Sequence, residues 1–475
     1  MRERVSLASG RVVDPHPRDE SLLYPLSPTE SLTLLSCLAS LCSLCLQTYY
    51  PNSLFSLIIT MSSTNPNPPS DTDDTALLEY SVIYTDRAVN LMAASFSAAF
   101  KDICHDLQAV YQADHTVLIP GSGSYAMEAV LGQFARHRSE ANYAPCLVIR
   151  NGYFSFRWSD IHDVVFPAAC GRSPEMVVVH AAAVVDVDDS TTSNPSDRPA
   201  FAPPSIEDVV AAIHLHQPAV VFLPHVETSN GMVVSDAYIT AVAAATHAAC
   251  PDAVCVLDCV ASGNLWVDMK VTGVDVIVTA PQKGWTSPAS VGIALMSARA
   301  KDIMHQTPRC HSFCCNLSKW STVSDKYNDA VGGFMYHTTL PTDALTVFRD
   351  TIQETVSVGL PVLQDRTVEL GTRVRAVLEQ HGFTSVTAAD YQAPTVVVSY
   401  MRGEQDRGIV GKFKKHGVQI AAGVPLKIGE DVIWKSDSGP PTFRIGLFGL
   451  DKLLNVDKAV RLFEEALLKV LAEDA

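Results

Sequence analysis

From about Thr75 onward, short runs rich in Val, Ile and Leu alternate with segments whose apolar residues have helical spacing. The apolar runs are CLVIRNG, MVVVHA, AVVFLPHV, AVCVLDCV, DVIVTAP and VGIALMS. Helical spacing occurs in LMAASFSAAFKDICHDLQAVYQA, SYAMEAVLGQFARHR, IEDVVAAIHLHQ and DAYITAVAAATHAA. Strands that are apolar throughout are buried on both faces, and helices between them supply the cover. The sequence therefore predicts an α/β fold with a mainly parallel sheet.

The length of 475 residues exceeds that of one ordinary hydrophobic core, so we expect more than one domain. The segment PTDALTVFRDTIQETVSVGL is typical of a long helix, and it marks where the chain leaves the large domain. A strand-like run, TVVVSYM, and an amphipathic C-terminal helix follow it. We predict an N-terminal extension over residues 1–75, a large α/β domain over 76–345, and a small α+β domain over 346–475.

The extension differs in composition from the rest of the chain. No charged residue occurs from Ser31 to Ser70, and the apolar part of this stretch approaches the shortest membrane-spanning length. Three interpretations remain open: a membrane anchor in residues 31–60, a targeting segment, or a non-native extension before a true start at Met61. We favour the last, because MSSTNPNPPSDTDDT is typical of an ordinary polar N-terminus.

Net charge and cysteine content narrow the classes of partner. The formal net charge of −16 argues against nucleic acid or an anionic membrane as the main partner, since both attract basic surfaces. The 12 cysteines are scattered in apolar surroundings, which favours free thiols in an intracellular compartment, cytoplasmic or organellar. Cys310, His311, Cys314 and Cys315 lie close together, but no second ligand pair follows at zinc spacing, so we expect no metal.

A glycine–serine turn, Gly121-Ser122-Gly123-Ser124, lies between a strand-like run and a helix-like segment. Glycines allow backbone N–H groups to approach an anion, serine hydroxyls add donors, and the helix N-terminus adds a positive dipole end. The turn therefore indicates a phosphate site. A plain glycine-rich connection is the alternative.

Two charged residues follow neighbouring strand-like runs. Asp258 lies near the end of AVCVLDCV, where a carboxylate would reach the ligand crevice of a parallel sheet and hold a pyridinium nitrogen. Lys283 follows DVIVTAP and is flanked by Pro, Gly and Trp, so its amine would lose its charge readily enough to form a Schiff base. The alternatives are a capping Asp and an exposed loop Lys.

Arg444 lies between apolar residues in the strand-like run FRIGLFG. An arginine in such a position is rarely exposed, and its planar fork binds a carboxylate at two points. A structural ion pair is the alternative.

Taken together, the motifs GSGSYAMEAV, HVETSNG, LDCVASG, PQKGW, MYHTTLP and FRIGLFGL resemble those of class V, fold type I aminotransferases that depend on pyridoxal 5′-phosphate (PLP). The resemblance runs from about Tyr84 to Leu467 and is strongest to the alanine–glyoxylate and serine–pyruvate type. It implies transamination of a small amino acid, alanine or serine, with a keto acid such as glyoxylate or pyruvate. It also implies a homodimer with shared active sites.

The resemblance assigns a role to each matching position. Lys283 would form the Schiff base and move the proton, Asp258 would pair with the pyridine nitrogen, and Arg444 would bind the substrate carboxylate. The remaining expected cofactor contacts are Ser122, Gly123, Ser124 and Gln282 at the phosphate, Phe154 stacked on the ring, Thr228 near the ring hydroxyl, and Tyr336 and Thr339 from the other subunit.

Three departures from the family pattern put the substrate in doubt. Phe154 replaces the tryptophan that close relatives often have, Gly284-Trp285 follows the lysine, and Asn264–Trp266 differs from a glycine-rich stretch. Trp285 could narrow the pocket. Other class V reactions therefore stay open, namely transamination of 2-aminoethylphosphonate and a cysteine desulfurase or lyase reaction. A non-catalytic scaffold and a membrane-anchored binding protein are the alternatives from other functional classes.

Overall fold

The computed structural model describes residues 78–136, 142–167, 173–184, 198–306, 312–427 and 442–473. Glu79–Ala475 forms one compact unit. The predicted extension, with its uncharged stretch at 31–60, lies outside the described residues. None of the described helices combines the length and apolar character that crossing a membrane requires.

Helices occur throughout this unit. They are α1 (Ala94–Tyr111), α2 (Gly123–Phe134), α3 (Phe156–Val165), α4 (Ile206–His216), α5 (Asp236–Ala249), α6 (Met269–Thr272), α7 (Ala298–Gln306), α8 (Leu317–Asn328), α9 (Thr342–Val358), α10 (Leu360–Gln380), α11 (Ile409–Lys415), α12 (Leu450–Leu453) and α13 (Val456–Ala472). Short 3₁₀ turns span Ala389–Tyr391 and Glu404–Asp406.

Strands alternate with most of these helices. They are β1 (His115–Pro120), β2 (Cys146–Arg150), β3 (Met176–His180), β4 (Ala182–Val184), β5 (Ala200–Ala202), β6 (Val220–Pro224), β7 (Val226–Glu227), β8 (Met232–Val233), β9 (Val254–Asp258), β10 (Val276–Thr279), β11 (Val291–Met296), β12 (Val396–Tyr400), β13 (Ala421–Ala422) and β14 (Thr442–Gly446).

A sheet in the order β1-β11-β10-β9-β6-β2-β3 forms the centre of the unit. Within it, β10, β9, β6, β2 and β3 pair in parallel, while β11 pairs antiparallel with both β10 and β1. The strand β11 thus runs against the other six, and the prediction of a mainly parallel sheet is confirmed. A smaller antiparallel sheet has the order β12-β14-β13.

The local sequence explains where several helices begin. Ser205 and Ser235 precede α4 and α5, and their side chains accept from the backbone N–H of Asp208 and Tyr238. Such caps satisfy amide groups that a helix leaves unpaired at its start. The polar run from Asp186 to Ser205, which reads as a surface loop, contains one short strand, β5, paired antiparallel with β4. The rest of that run is mostly outside the described residues.

Two large apolar clusters underlie the two sheets. The first surrounds the central sheet and includes Phe100, Val256 and Trp285, all buried. The second joins α10, α13 and the three-stranded sheet, with Leu370, Phe443 and Leu467 at its centre. The predicted boundary near residue 345 between a large and a small domain remains a prediction.

The antiparallel strand β11 brings two loops to the same edge of the sheet. It starts at Val291, which pairs with Pro120 at the carboxyl end of β1. The turn after β1 is attached to the loop before β11, since the Gly121 N–H donates to the Ser290 carbonyl at 2.9 Å. The Gly121–Ser124 turn and the loop that contains Lys283 therefore lie at the carboxyl edge of the sheet.

Gly292 permits this close approach, and we expect Gly292→Ala to destabilise the fold. A Cβ there would stand 2.4 Å from the Ser122 carbonyl oxygen and 2.7 Å from the Ala126 Cβ, both on the start of α2. Overpacking of this kind costs about 1–3 kcal/mol. Gly132→Ala, farther along α2, is the matched control, because a Cβ there meets nothing within 4 Å. Thermal unfolding that ranked Gly292→Ala as the more stable variant would contradict this packing.

Candidate active site

A cavity of about 420 Å³ opens at the carboxyl edge of the central sheet. Its volume lies in the range of small-molecule and cofactor sites. Nine of the residues that the sequence predicts at the site line this cavity: Ser122, Gly123, Ser124, Phe154, Thr228, Asp258, Gln282, Lys283 and Arg444. The remaining lining residues are Met127, Arg157, Val226, Val260, Ala261, Val396, Ala421, Gly446 and Phe448.

The glycine–serine turn forms one wall. Gly121 has φ +130°, a backbone conformation that side-chain-bearing residues rarely adopt, and a Cβ there would lie 2.7 Å from the Tyr125 ring. After this turn α2 begins at Gly123, and the Ser122 side chain makes no capping bond within the described chain. The first N–H groups of α2 therefore face the cavity side without a side-chain cap, which suits an anion.

Asp258 is the last residue of β9, in the middle of the sheet. Burial raises the pKa of its carboxyl to about 6; the Val260 N–H, which donates to Oδ1 at 3.0 Å, opposes the shift, and the negative charge of Glu227 adds to it. The carboxylate is thus unstable by itself in this position. A cationic partner in the cavity would favour its ionised form.

Lys283 lies in the loop that joins β10 to β11, and its Nζ is 5.3 Å from the centre of the Phe448 ring. Burial lowers the pKa of this amine, and the positive charges of Arg444 and Arg157 lower it further. A larger fraction of the amine is therefore neutral, as a nucleophilic lysine requires. Gly284, directly after it, is fixed against Gly263, whose carbonyl oxygen would be 2.2 Å from an added Cβ.

Arg444 reaches the cavity from β14 of the smaller sheet. Its Nε donates to the Ala422 carbonyl at 2.9 Å, and its guanidinium carbon lies 5.5 Å from the centre of the Phe154 ring. Burial lowers the pKa of this guanidinium, while the charge of Glu227 raises it. The fork is oriented by one backbone bond and retains donors for a carboxylate.

A buried carboxylate, Glu227, orders the loop that carries Phe154. It accepts hydrogen bonds from the N–H groups of Phe154 at 3.2 Å and Ser155 at 2.9 Å, and from the Ser229 hydroxyl at 2.8 Å. The Ser229 hydroxyl in turn accepts from the Tyr153 N–H at 3.0 Å. These bonds fix the backbone from which the Phe154 ring projects into the cavity.

The remaining predicted residues divide into two groups. Thr228, which is 9% exposed, and Gln282 both line the cavity. Tyr336 and Thr339 lie elsewhere: they are joined by a hydrogen bond of 3.4 Å between their hydroxyls, and Tyr336 is 49% exposed. They are absent from the cavity wall that the described residues of one chain form.

Sequence reasoning missed three residues and misplaced one. Arg157 follows the aromatic run at Phe154 and lines the cavity, Glu227 lies within the HVETSNG motif, and Phe448 lies within FRIGLFG. An acid inside an apolar strand-to-loop run was the available signal for Glu227. Trp285 does not narrow the pocket: it is 1% exposed and packs against Trp266, with ring centres 4.5 Å apart.

The residues present fit the cofactor that the sequence implies. Four features face one cavity: the Lys283 amine with its lowered pKa, the buried Asp258 carboxyl, the uncapped start of α2 and the Phe154 ring. The Asp258 carboxyl forms no ion pair with a described residue. PLP carries the complementary groups: an aldehyde, a basic ring nitrogen, a phosphate and a flat ring.

Comparisons with known proteins agree with this architecture. No protein-family model matches the chain. Over 387 residues it is 25% identical to alanine–glyoxylate aminotransferase 1 of Saccharomyces cerevisiae, covering 75% of this chain and 84% of the relative. The fold is similar to the crystal structure of an alanine–glyoxylate aminotransferase from Nostoc sp., with TM-score 0.61, 19% identity, and coverage of 80% of this chain and 89% of that one.

A second solved structure, ureidoglycine–glyoxylate aminotransferase from Bacillus subtilis, has TM-score 0.62 and 18% identity, with coverage of 80% and 87%. The chain therefore has fold type I, which confirms the fold class predicted from the sequence.

The raised pKa of Asp258 generates a stability prediction for the cofactor-free chain. In the unfolded state an Asp has a pKa near 3.9, so between about pH 4 and 6 the folded state loses stability as pH rises. We expect Asp258→Asn to raise the free energy of unfolding at pH 7 by up to about 3 kcal/mol, because each pKa unit is worth about 1.4 kcal/mol. Denaturant titrations should show this gain shrinking towards pH 4. A gain that does not depend on pH would contradict the assigned cause.

Proposed function

We propose that this chain is a class V aminotransferase of fold type I that depends on PLP, and that it transfers the amino group of a small amino acid to a keto acid. Alanine or serine is the proposed donor, and glyoxylate or pyruvate is the proposed acceptor. The observation that carries the proposal is the shared cavity: Lys283, Asp258 and Arg444 line it together with the start of α2. The yeast relative, by its name an alanine–glyoxylate aminotransferase, supports the choice of substrates.

When bound, PLP supplies an aldehyde that links covalently to amines and a ring that withdraws electrons from the amino acid. Lys283 would hold the cofactor through its Nζ. The same atom, once free, would accept the proton from the substrate Cα and pass it on within the same half-reaction, and the second half-reaction would move a proton in the opposite direction. Its lowered pKa serves both roles, since each needs the uncharged amine.

Asp258 would face the ring nitrogen of the cofactor. Its carboxyl is costly to ionise in the empty cavity, and a protonated nitrogen would offset that cost. Glu227 has a different role: its oxygens are already occupied by backbone and serine donors, so it positions the Phe154 loop while its charge acts on Asp258 from a distance.

Arg444 would bind the carboxylate of the amino acid and of the keto acid. The wall beside it is apolar and compact, formed by Val396, Ala421, Gly446 and Phe448. Such a wall offers no partner for a second charge and favours a short side chain. This character supports alanine, serine, glyoxylate and pyruvate over longer substrates.

The site would be completed by a second copy of the chain. Tyr336 and Thr339 are placed on the surface, outside the cavity lined by the described residues of their own chain. In a dimer with twofold symmetry each subunit contributes the same residues to its partner. We therefore include a homodimer, with Tyr336 and Thr339 at the partner's cofactor phosphate, in the proposal.

Replacing Lys283 tests the reaction directly. Purified protein with added PLP should show yellow absorbance that fades with alanine or serine and returns with glyoxylate or pyruvate. Lys283→Ala should lose this absorbance, and turnover should fall by about a hundredfold or more, the usual effect of losing a general base. Lys270→Ala, an exposed lysine on α6, is the control and should behave as the unaltered protein. An unchanged spectrum in Lys283→Ala would exclude the assignment, whereas a response to other amino acids would revise the substrates alone.

Mixing two inactive variants tests the shared site. Lys283→Ala and the double variant Tyr336→Ala, Thr339→Ala should each have little activity. Hybrid dimers from a refolded or exchanged mixture contain one intact site, so activity should recover to about a quarter of the unaltered level in an equal, random mixture. Lys283→Ala mixed with Asp258→Ala is the control and should stay inactive, since both residues belong to one chain's share. No recovery in the first mixture would contradict a site shared in this way.

A further inference from the structure

Arg157 lines the cavity but has no place among the residues that the motifs assign. It is the second residue of α3, directly after the loop that Glu227 and Ser229 hold. Its guanidinium carbon lies 5.7 Å from the centre of the Phe154 ring, while that of Arg444 lies 5.5 Å from the same ring. The cavity therefore contains two guanidinium groups, carried by separate elements.

The contact that distinguishes Arg157 is made to the glycine–serine turn. Its Nη1 donates to the Ser124 hydroxyl at 3.2 Å, and Ser124 is the second residue of α2. Arg444 is instead oriented by the Ala422 carbonyl on β13. Arg157 is thus attached to the uncapped start of α2, and Arg444 to the smaller sheet.

The charge of Arg157 has no acidic partner among the described residues. Its hydrogen bond goes to a neutral hydroxyl, and the side chain is only partly exposed. Its field nevertheless reaches the reactive groups, since it lowers the pKa of both Lys283 and Asp258. A half-buried guanidinium that faces a cavity and lacks a carboxylate is suited to a ligand anion.

We propose that Arg157 is the cation of the phosphate site: it binds the phosphate of the cofactor from the α3 side, while the N–H groups and hydroxyls of Ser122–Ser124 bind it from the α2 side. The inference rests on the cofactor of the proposed function. The turn and the helix start supply neutral donors, so a phosphate with nearly two negative charges needs a full positive charge beside it. A guanidinium binds two phosphate oxygens at once, and the Arg157 Nη1 already lies at Ser124, where the turn ends and α2 begins.

Affinities for PLP and for pyridoxal, which lacks the phosphate, test this assignment. The full chain is freed of cofactor and titrated with each compound, with yellow absorbance as the measure of binding. Arg157→Gln should weaken PLP binding by at least about tenfold, because a hydrogen bond to a charged group contributes about 1.5–3 kcal/mol. Pyridoxal binding should change far less, because it loses only the effect of the guanidinium on the pKa of Lys283, which both compounds share. Arg157→Lys keeps the positive charge but not the planar fork, so its PLP affinity should lie between those of the unaltered chain and Arg157→Gln.

Inorganic phosphate gives a second measure that needs no covalent link. It should compete with PLP in the unaltered chain and compete less in Arg157→Gln. Arg444→Gln is the matched control: an arginine over the same ring is lost, and the ratio of PLP to pyridoxal affinity should stay the same. Thermal unfolding of each cofactor-free variant shows whether it is folded.

Three outcomes would overturn the assignment. An equal loss of PLP and pyridoxal affinity in folded Arg157→Gln and Arg157→Lys would make Arg157 a structural residue. An unchanged ratio of affinities, with turnover lost only for dicarboxylic amino acids, would place Arg157 at the substrate. Failure of the unaltered chain to bind PLP at all would reject the proposed function itself, and with it this inference.

Discussion

The insertion of β11 between β1 and β10 is the constraint on which the site depends. Because this strand runs against its neighbours, the loop before it and the turn after β1 meet at one edge of the sheet. The hydrogen bond from the Gly121 N–H to the Ser290 carbonyl fastens them, and Gly292 keeps the start of α2 close to β11. Asp258 reaches the same edge from β9, which is parallel to β10. A parallel strand in place of β11 would require a long crossover after β10, and the short loop that ties Lys283 to the Gly121 turn could not form.

The charged side chains around the cavity do not stabilise one another fully, and a ligand with complementary charges would do so. The charge of Glu227 raises the pKa of Asp258, and Arg157 and Arg444 both lower the pKa of Lys283. Asp258 and Lys283 are the groups whose protonation responds to the contents of the cavity. A ligand with a cationic ring and anionic ends would stabilise the ionised carboxyl of Asp258 and offset the positive charges of Arg157 and Arg444. The same charges that lower the pKa of Lys283 would therefore also favour the dipolar cofactor of the proposed function.

The sequence was informative where local order decides position. Asp258 and Lys283 end or follow strands with buried, uniformly apolar residues, and Ser122–Ser124 lie at a strand-to-helix turn, so the parallel-sheet interpretation alone brings them to one edge. It was less informative where a side chain is aimed by hydrogen bonds distant in sequence. Arg157 faces the cavity because Glu227, which is 72 residues from Ser155 in the sequence, holds Ser155 at the start of α3. Trp285 turns into the core because Trp266 and Tyr111 supply an aromatic pocket that no periodicity reveals.

The wall that carries Arg444 belongs to the smaller sheet, yet it is attached to the loop after Asp258. The Thr395 hydroxyl donates to the Ala261 carbonyl at 3.2 Å, and Gly263 leaves room for the Phe448 ring, which would lie 3.1 Å from an added Cβ. The backbone that positions the carboxyl of Asp258 therefore also limits how far Arg444 and Phe448 can move. Under the proposed function, this preorganised wall would bind a short carboxylate with little loss of side-chain freedom, whereas a longer substrate would have to displace Phe448 from both Gly263 and Lys283. The Phe448 contact would then couple substrate size to cofactor position.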